Sequence, residues 1–325
     1  MNRKIIDFGN GWLKHVHDGQ PVTIPAAIAP VFDRAKFTQC PVFEYRGGAS
    51  VQIQNGSQWV AGLDAFDFAP TDLIRVGDIP KSEGKARYGL QLLASTLEPI
   101  DQSIDVLCSV PNVTKHGAEL ERALRGTHQI LRNGRAFTLT INDVAVKPEG
   151  FGAVYGAICD GLAPADKMNV GLDIGRQTTI VSAFNTRGQE IENMRVVVDA
   201  GGTQSLFSRI GSHSSIVSAF GGEVAADDIE MAVQAAPHSP ELDGFRFESL
   251  YRQMKQAWLG HVVERAKTSI GEVFPRIGAI VVFGGGANLV RVELAQLPKT
   301  VVLTNAQTAN VEGLARLPIA RPIAA

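Results

Sequence analysis

The chain has 325 residues, 45% of them hydrophobic, and a nearly balanced charge of −2 from 31 basic and 33 acidic side chains. That supplies a sizeable core and about two domains of ordinary size; without a Lys/Arg-rich block it excludes a direct electrostatic nucleic-acid footprint. The 33 glycines exceed an average share by about ten residues and follow no collagen-like period, so the surplus needs a local explanation.

The opening reads as strand, tight turn, strand: Lys4–Phe8, a glycine-rich corner, Trp12–His17, then a turn at Asp18-Gly19. Asp105–Val110 follows as a buried strand ended by Pro111, and Thr114–Arg125 as a helix stopped by Gly126. Phe137–Asn142 alternates like a strand, and Glu149–Asp160 reads as a helix entered through Pro148. The opening plan then recurs at Val170–Ile174 and Thr178–Phe184, with Asp173 and Gly175 each standing half a chain length beyond Asp7 and Gly9. A repeat that long points to two related domains rather than a solenoid. Leu250, Met254, Trp258, Val262, Ala266 and Ile270 mark one face of a long helix. Gly278–Phe283 is an apolar strand that runs into Gly284-Gly285-Gly286. Strands mixed with helices give an α/β class.

Cys40, Cys108 and Cys159 are too few and too scattered for a disulfide framework or a zinc site, and read as buried thiols in a reducing compartment. No signal core begins the chain, and no window reaches about 18 uninterrupted apolar residues. The tail Ala315–Ala325 carries Pro318 and Pro322, which exclude an amphipathic anchoring helix. The expectation is a soluble, cytoplasmic protein without a membrane partner. His15 and His17 share a strand face but have no third ligand nearby, so they read as solvated hairpin residues.

Three segments carry the chemistry. In Asp7-Phe8-Gly9-Asn10-Gly11-Trp12-Leu13-Lys14 a strand-end carboxylate is followed by glycines that let backbone N–H groups approach an anion. Asp7 is suited to a hydrated Mg²⁺ and Lys14 to a compensating charge. Asp173-Ile174-Gly175-Arg176-Gln177-Thr178-Thr179 is a second such corner, with two hydroxyls added. After the third segment's strand, three bare glycines, Gly284 to Gly286, admit a flat purine and its ribose. Each segment alone reads more simply as a turn; two matching corners make coincidence less attractive, and a nucleotide's phosphates held between two hairpins would use both.

In order and separation these segments resemble the first phosphate, second phosphate and adenosine motifs of the actin-like ATPase superfamily. Val60-Ala61-Gly62-Leu63-Asp64-Ala65, Cys108-Ser109-Val110-Pro111 and Val146-Lys147-Pro148-Glu149 extend the resemblance toward bacterial ParM/StbA-type plasmid-segregation proteins. It implies a two-domain actin-like α/β fold with an interdomain nucleotide cleft. Domain I would hold 1–160 plus 306–325 and domain II 161–305, with a second crossing near Asn305–Leu314. It further implies that Asp7 and Asp173 position Mg²⁺ through waters. Gly9, Asn10, Gly11 and Lys14, with Gly175, Thr178 and Thr179, would cradle the phosphates. Gly201, Gly202 and Thr203 would lie near ribose and base, with Gly284, Gly285 and Gly286 along the adenosine. Glu149 would orient the attacking water, and Asp173 would join it as a catalytic residue. Two positions depart from the pattern: Ile180 stands where relatives often have Asp, and Arg176 where they have a small residue.

The function so implied is a filament-forming ATPase that takes ATP, with GTP as the alternative, and Mg²⁺. The chain polymerises with itself, and its cargo is plasmid DNA gripped through a ParR-like DNA-binding adaptor. The rivals are an actin-fold small-molecule kinase, a heat-shock chaperone, a membrane-associated division or pilus protein, and a non-hydrolysing nucleotide-dependent scaffold. The kinase lacks a second motif, the chaperone a further domain and the membrane protein an anchor.

Overall fold

The computed structural model describes residues 2–9, 11–79 and 81–318. Its first strands, β1 (Asn2–Phe8) and β2 (Trp12–His17), form the expected antiparallel hairpin, with Asp7 opposite Lys14. Asp18 and Gly19 both take positive φ (49° and 76°), the turn geometry that matches the twist of paired strands, and lead into β3 (Gln20–Pro25). There follow β4 (Ala27–Pro30), β5 (Phe43–Gly48), β6 (Gln58–Ala61), α1 (Leu63–Phe68), β7 (Ile74–Arg75) and α2 (Lys81–Ser95). Then come β8 (Gln102–Val110), α3 (Val113–Leu124), β9 (Gly126–Arg132), β10 (Arg135–Pro148) and α4 (Phe151–Cys159).

Among the described residues β1 to β10 make one mixed sheet, ordered β3-β2-β1-β8-β10-β9-β5-β6-β4-β7. Alternation along β1 sends Ile6 and Phe8 into a core with Leu90, Leu93, Val106 and Leu120. The other face carries Ile5 to Leu107, Val311 and Leu314, the last two on α10 (Ala309–Ala315).

The second part of the chain holds β11 (Met168–Ile174), β12 (Thr179–Phe184), β13 (Val196–Val198), α5 (Thr203–Gly211), α6 (Ser214–Phe220) and α7 (Ala226–Ala235). It continues with β14 (Glu241–Leu242), β15 (Phe245–Arg246), α8 (Glu248–Ile270), β16 (Ile277–Phe283), α9 (Arg291–Leu294) and β17 (Thr300–Val302). Its main sheet has the order β13-β12-β11-β16-β17. Position for position this repeats β3-β2-β1-β8-β10: two antiparallel pairings, then two parallel ones. The stripe read along α8 packs as predicted, with Trp258, Val262 and Ile270 buried and Leu250, Met254 and Ala266 against the same core. By internal packing the chain divides into two compact units, 1–152 with the segment from Asn310, and 153–309.

Several local readings change. Pro148 ends β10 instead of opening a helix, and Glu149-Gly150 is a turn before α4. A strand-terminal Pro forfeits no needed donor, Glu149 N–H reaches Val110 O at 2.9 Å, and Gly150 at φ 86° breaks the chain direction. Gly126 is not a left-handed helix cap. It opens β9, where a Cβ would meet the Ala49 side chain at 2.3 Å. His15 is buried, not solvated, and Cys159 is exposed while Cys40 and Cys108 are buried. Among the described residues no helix is long and apolar enough to cross a membrane. Of the tail, 319–325 lie outside the described residues, as does Asn10.

Candidate functional site

In the first unit the site grows from Asp7. It lies in the buried run of β1, one residue before the strand's end, with Lys14 beside it on β2 and Ser109 beside it on β8 by strand register. Ser109 Oγ donates to Asp7 Oδ1 at 2.7 Å and Lys14 Nζ lies 3.2 Å from Oδ2. Burial opposes ionisation of Asp7. The charges of Lys14 and Lys85, with hydrogen bonds from Ser109 and Lys14, outweigh it and hold the carboxyl below its ordinary range. Asn310 at the start of α10 braces this group. Its Nδ2 donates to Ser109 Oγ at 3.1 Å, and its Oδ1 accepts from Gly152 N–H at 3.0 Å.

Glu149 stands in the turn after β10, with its carboxylate 2.5 Å from Nζ of the buried Lys85 on α2. Two carboxylates and two lysines thus alternate at this end of the unit, so the group is close to neutral. Lys85, Ser109 and Asn310 carried no role in the sequence reading. Lys85 leaves a faint trace, a cation on the stripe that α2 buries through Gly89 and Leu93. Nothing local marks Asn310, because only tertiary contact places it.

The second unit repeats the corner. Asp173 lies half-buried between Ile180 on β12 and Phe283 on β16. Gly175 N–H reaches Thr178 O at 2.9 Å. A Cβ on Gly175 would meet Thr178 O at 2.9 Å, and one on Gly9 would meet Trp12 O, the equivalent atom of the first corner, at 2.5 Å. Both corners are tight for the same reason.

Gly201, Gly202 and Thr203 brace this corner from behind. Thr203 and Gln204 N–H donate to Gly175 O and Arg176 O at 3.1 and 2.8 Å, so these α5 donors are engaged by the corner itself. Thr179 differs from expectation. It is fully buried, and its hydroxyl donates to Gly201 O at 2.6 Å instead of facing outward; Trp258 Nε1 donates to the same oxygen at 3.0 Å. Its equivalent in the first hairpin is the buried Leu13, which shows why the position turns inward. Thr178 stays partly exposed.

After β16, Gly284 adopts φ 91°, and a Cβ there would lie 2.4 Å from Asp173 Oδ1. Gly286 is packed against Thr203 and Ile174, whereas Gly285 is exposed, with open space where a side chain would project. Of the three glycines, two serve packing and one leaves its backbone open. Beyond them Lys255 Nζ on α8 pairs with Glu293 at 2.7 Å and donates to Leu289 O at 3.2 Å, tying that helix to the segment after the glycines. Among the described residues no three His, Cys, Asp or Glu side chains gather to hold a metal.

Residues 6–152 match the family model described as the N-terminal domain of actin-like proteins. That stretch of the chain is similar to an actin-like N-terminal domain, in agreement with the resemblance read from the motifs. The solved archaeal actin homologue Ta0583 superposes with a TM-score of 0.76 at 18% identity, covering 97% of this chain and 98% of that one. The apo pSK41 ParM protein gives 0.69 at 18% identity over 97% and 96%. A subunit of a 15-stranded ParM filament from Clostridium botulinum gives 0.69 at 16% identity over 97% and 98%. The fold is therefore actin-like across nearly the whole chain. Ta0583 has also been solved in complex with ADP. No curated protein matches the sequence.

Proposed function

We propose that this chain is a filament-forming, actin-like ATPase that binds ATP with Mg²⁺. The observation that carries the reading is the duplicated corner: a strand-end carboxylate and a glycine-tight turn, built twice on the same strand order. A neighbour of this fold holds ADP, and another is itself a filament.

The residues present fit a magnesium nucleotide. Asp7 is ionised and rigidly held, Gly9 and Gly175 bring backbone close, and Gly285 leaves open backbone. Few protein oxygens suit Mg²⁺, which keeps waters and phosphate oxygens as its remaining ligands. Asp7 and Asp173 would hold it through water, where it neutralises phosphate charge. Gly9, Asn10, Gly11 and Lys14 would receive phosphate from the first unit, and Gly175 and Thr178 from the second. Thr179, Gly201, Gly202 and Thr203 would fix the shape of that second corner. Gly284 would keep Asp173 in place and Gly286 would pack the turn against Thr203 and Ile174, while Gly285 borders the base and ribose.

The Glu149 carboxylate would accept a hydrogen bond from the attacking water and orient it; phosphoryl transfer asks mainly for such positioning and charge stabilisation. Lys85 sets where that carboxylate stands. The same ion pair favours a second reading, a nucleotide-dependent scaffold with slow hydrolysis, because it engages the group that would orient water.

By the likeness to ParM, the cargo is plasmid DNA held through a DNA-binding adaptor, and the near-neutral charge suits an indirect contact. We assign residues 1–160 with 306–325 to domain I and 161–305 to domain II. Light scattering with ATP, ADP or no nucleotide, run beside phosphate release, tests the function. ATP-dependent scattering followed by decay supports it, and phosphate transfer to a small molecule without scattering overturns it. Scattering without phosphate release selects the scaffold. Glu149→Ala should retain ATP binding, slow phosphate release by about a hundredfold and prolong the polymer.

A further inference from the structure

Arg176 departs from the small residue that the resemblance leads one to expect, and the structure shows where its side chain goes. It turns to α7, where Nε lies 3.1 Å from Glu230 Oε2 and Nη2 pairs with Asp227 Oδ1. Glu230 is as enclosed as Arg176 itself, about one-fifth exposed, whereas Asp227 is nearly half exposed. Asp227 and Glu230 lie three apart on α7 and therefore share one face of it. A planar guanidinium can serve both at once, which a lysine ammonium does less well.

The corner is thus fastened twice to the same helical layer. Its backbone is held by α5 through Gly175 O and Arg176 O, and Gly202 allows the approach, since a Cβ there would meet Gln177 C at 2.2 Å. Its side chain is held by α7. The two helices pack together through Leu206, Phe207 and Ile210 with Ile229 and Val233, and Val224 N–H closes on Gly211 O at 3.1 Å. A loop held this way cannot shift without drawing on α7. With two carboxylates around it, Arg176 also presents no uncompensated positive charge to an incoming phosphate.

We propose that Arg176 is a latch that ties the second phosphate corner to α7, so that a phosphate occupying the corner is sensed at that helix. Arg176 is a positioning residue here, acting through α7, and the inference rests on the nucleotide reading above.

Amide hydrogen exchange of 226–235 in the full chain, measured with Mg-ATP and with Mg-ADP, tests it beside titrations with a fluorescent ATP. In the wild-type protein the two nucleotides should give exchange rates that differ by about tenfold in this helix. Arg176→Gly should keep fluorescent-ATP affinity within about tenfold yet abolish the difference. Asp227→Asn with Glu230→Gln should do the same from the other side, so the test survives if one variant folds poorly. Arg176→Lys should restore the difference only in part.

The latch is overturned if wild-type protein binds ATP with no nucleotide-dependent change in α7, or if Arg176→Gly retains the change. It is equally overturned if neutralising the two acids raises ATP affinity while Arg176→Gly abolishes binding, which would make Arg176 a direct phosphate ligand. Wild-type protein that binds no ATP defeats the functional reading and the relay together, and is told apart by the titration alone.

Discussion

The two units open with the same hairpin and furnish it differently. Asp7 and Asp173 occupy one register of the repeated plan, as do Gly9 and Gly175. Around that frame the first unit places Lys14 and Ser109, where the second has Ile180 and Phe283. Behind the corner the first hairpin buries Lys4 and His15, Nζ to Nδ1 3.1 Å, where the second has the core residues Val170 and Val181. The backbone plan therefore dictates that a carboxylate stands at each strand end. The register neighbours differ: Lys14 and Ser109 hold and charge-match the buried carboxylate of the first unit, while the half-buried one of the second stands in register with Ile180 and Phe283.

The largest effect should come from removing the matched carboxylate. Asp7→Leu leaves Lys14 enclosed without its partner, and breaking such a buried pair costs about 3 kcal/mol. Chemical denaturation should show that loss, and a midpoint left unchanged by Asp7→Leu would contradict the charge-matched pairing of the first corner.

Gly284→Ala comes next. Its positive φ and the 2.4 Å approach to Asp173 Oδ1 leave no place for a Cβ, and about 2 kcal/mol should be lost, against less than about 0.5 for Gly285→Ala. Thermal melts of the two variants check the contrast.

Of the two hairpins, acid should act on the first. Burial, then the Lys4 charge, lowers His15 from 6.5 to about 4, so the folded state favours the neutral ring. Its contribution is full above pH 6.5 and falls away as pH drops toward 4, by about 2 kcal/mol. Burial likewise brings Lys4 to about 8. Substituting both by valine, the residue of the second hairpin, should flatten the stability profile between pH 6.5 and 4 with little loss at pH 8. A profile as steep as the wild type's would place the acid sensitivity elsewhere. Asp7 acts at lower pH: its carboxyl is depressed, so its contribution persists above about pH 4 and disappears as pH falls through the folded value.

This comparison also explains what could be read in advance. Asp7, Gly9, Asp173 and the glycines after β16 declare themselves because the strand period and the turn chemistry are local. The repeat of the opening hairpin in the second half foretells the shared strand order for the same reason. Ser109, Lys85 and Asn310 reach Asp7 and Glu149 from elements remote in the chain, and no local pattern signals the contact. Pro148 misleads because a missing N–H suits a strand end as well as a first helical turn. Thr179 misleads because hydroxyl chemistry suggests a ligand while strand alternation, already visible in Leu13, sends it inward.

The account rests on both corners serving one magnesium nucleotide. Calorimetric titration of ATP into the wild type, Asp7→Asn and Asp173→Asn, each with and without Mg²⁺, tests this most directly. Wild-type protein should bind ATP more tightly when Mg²⁺ is present, and each substitution should remove that increment. ATP binding that is absent, or equally dependent on Mg²⁺ in all three proteins, would contradict the account.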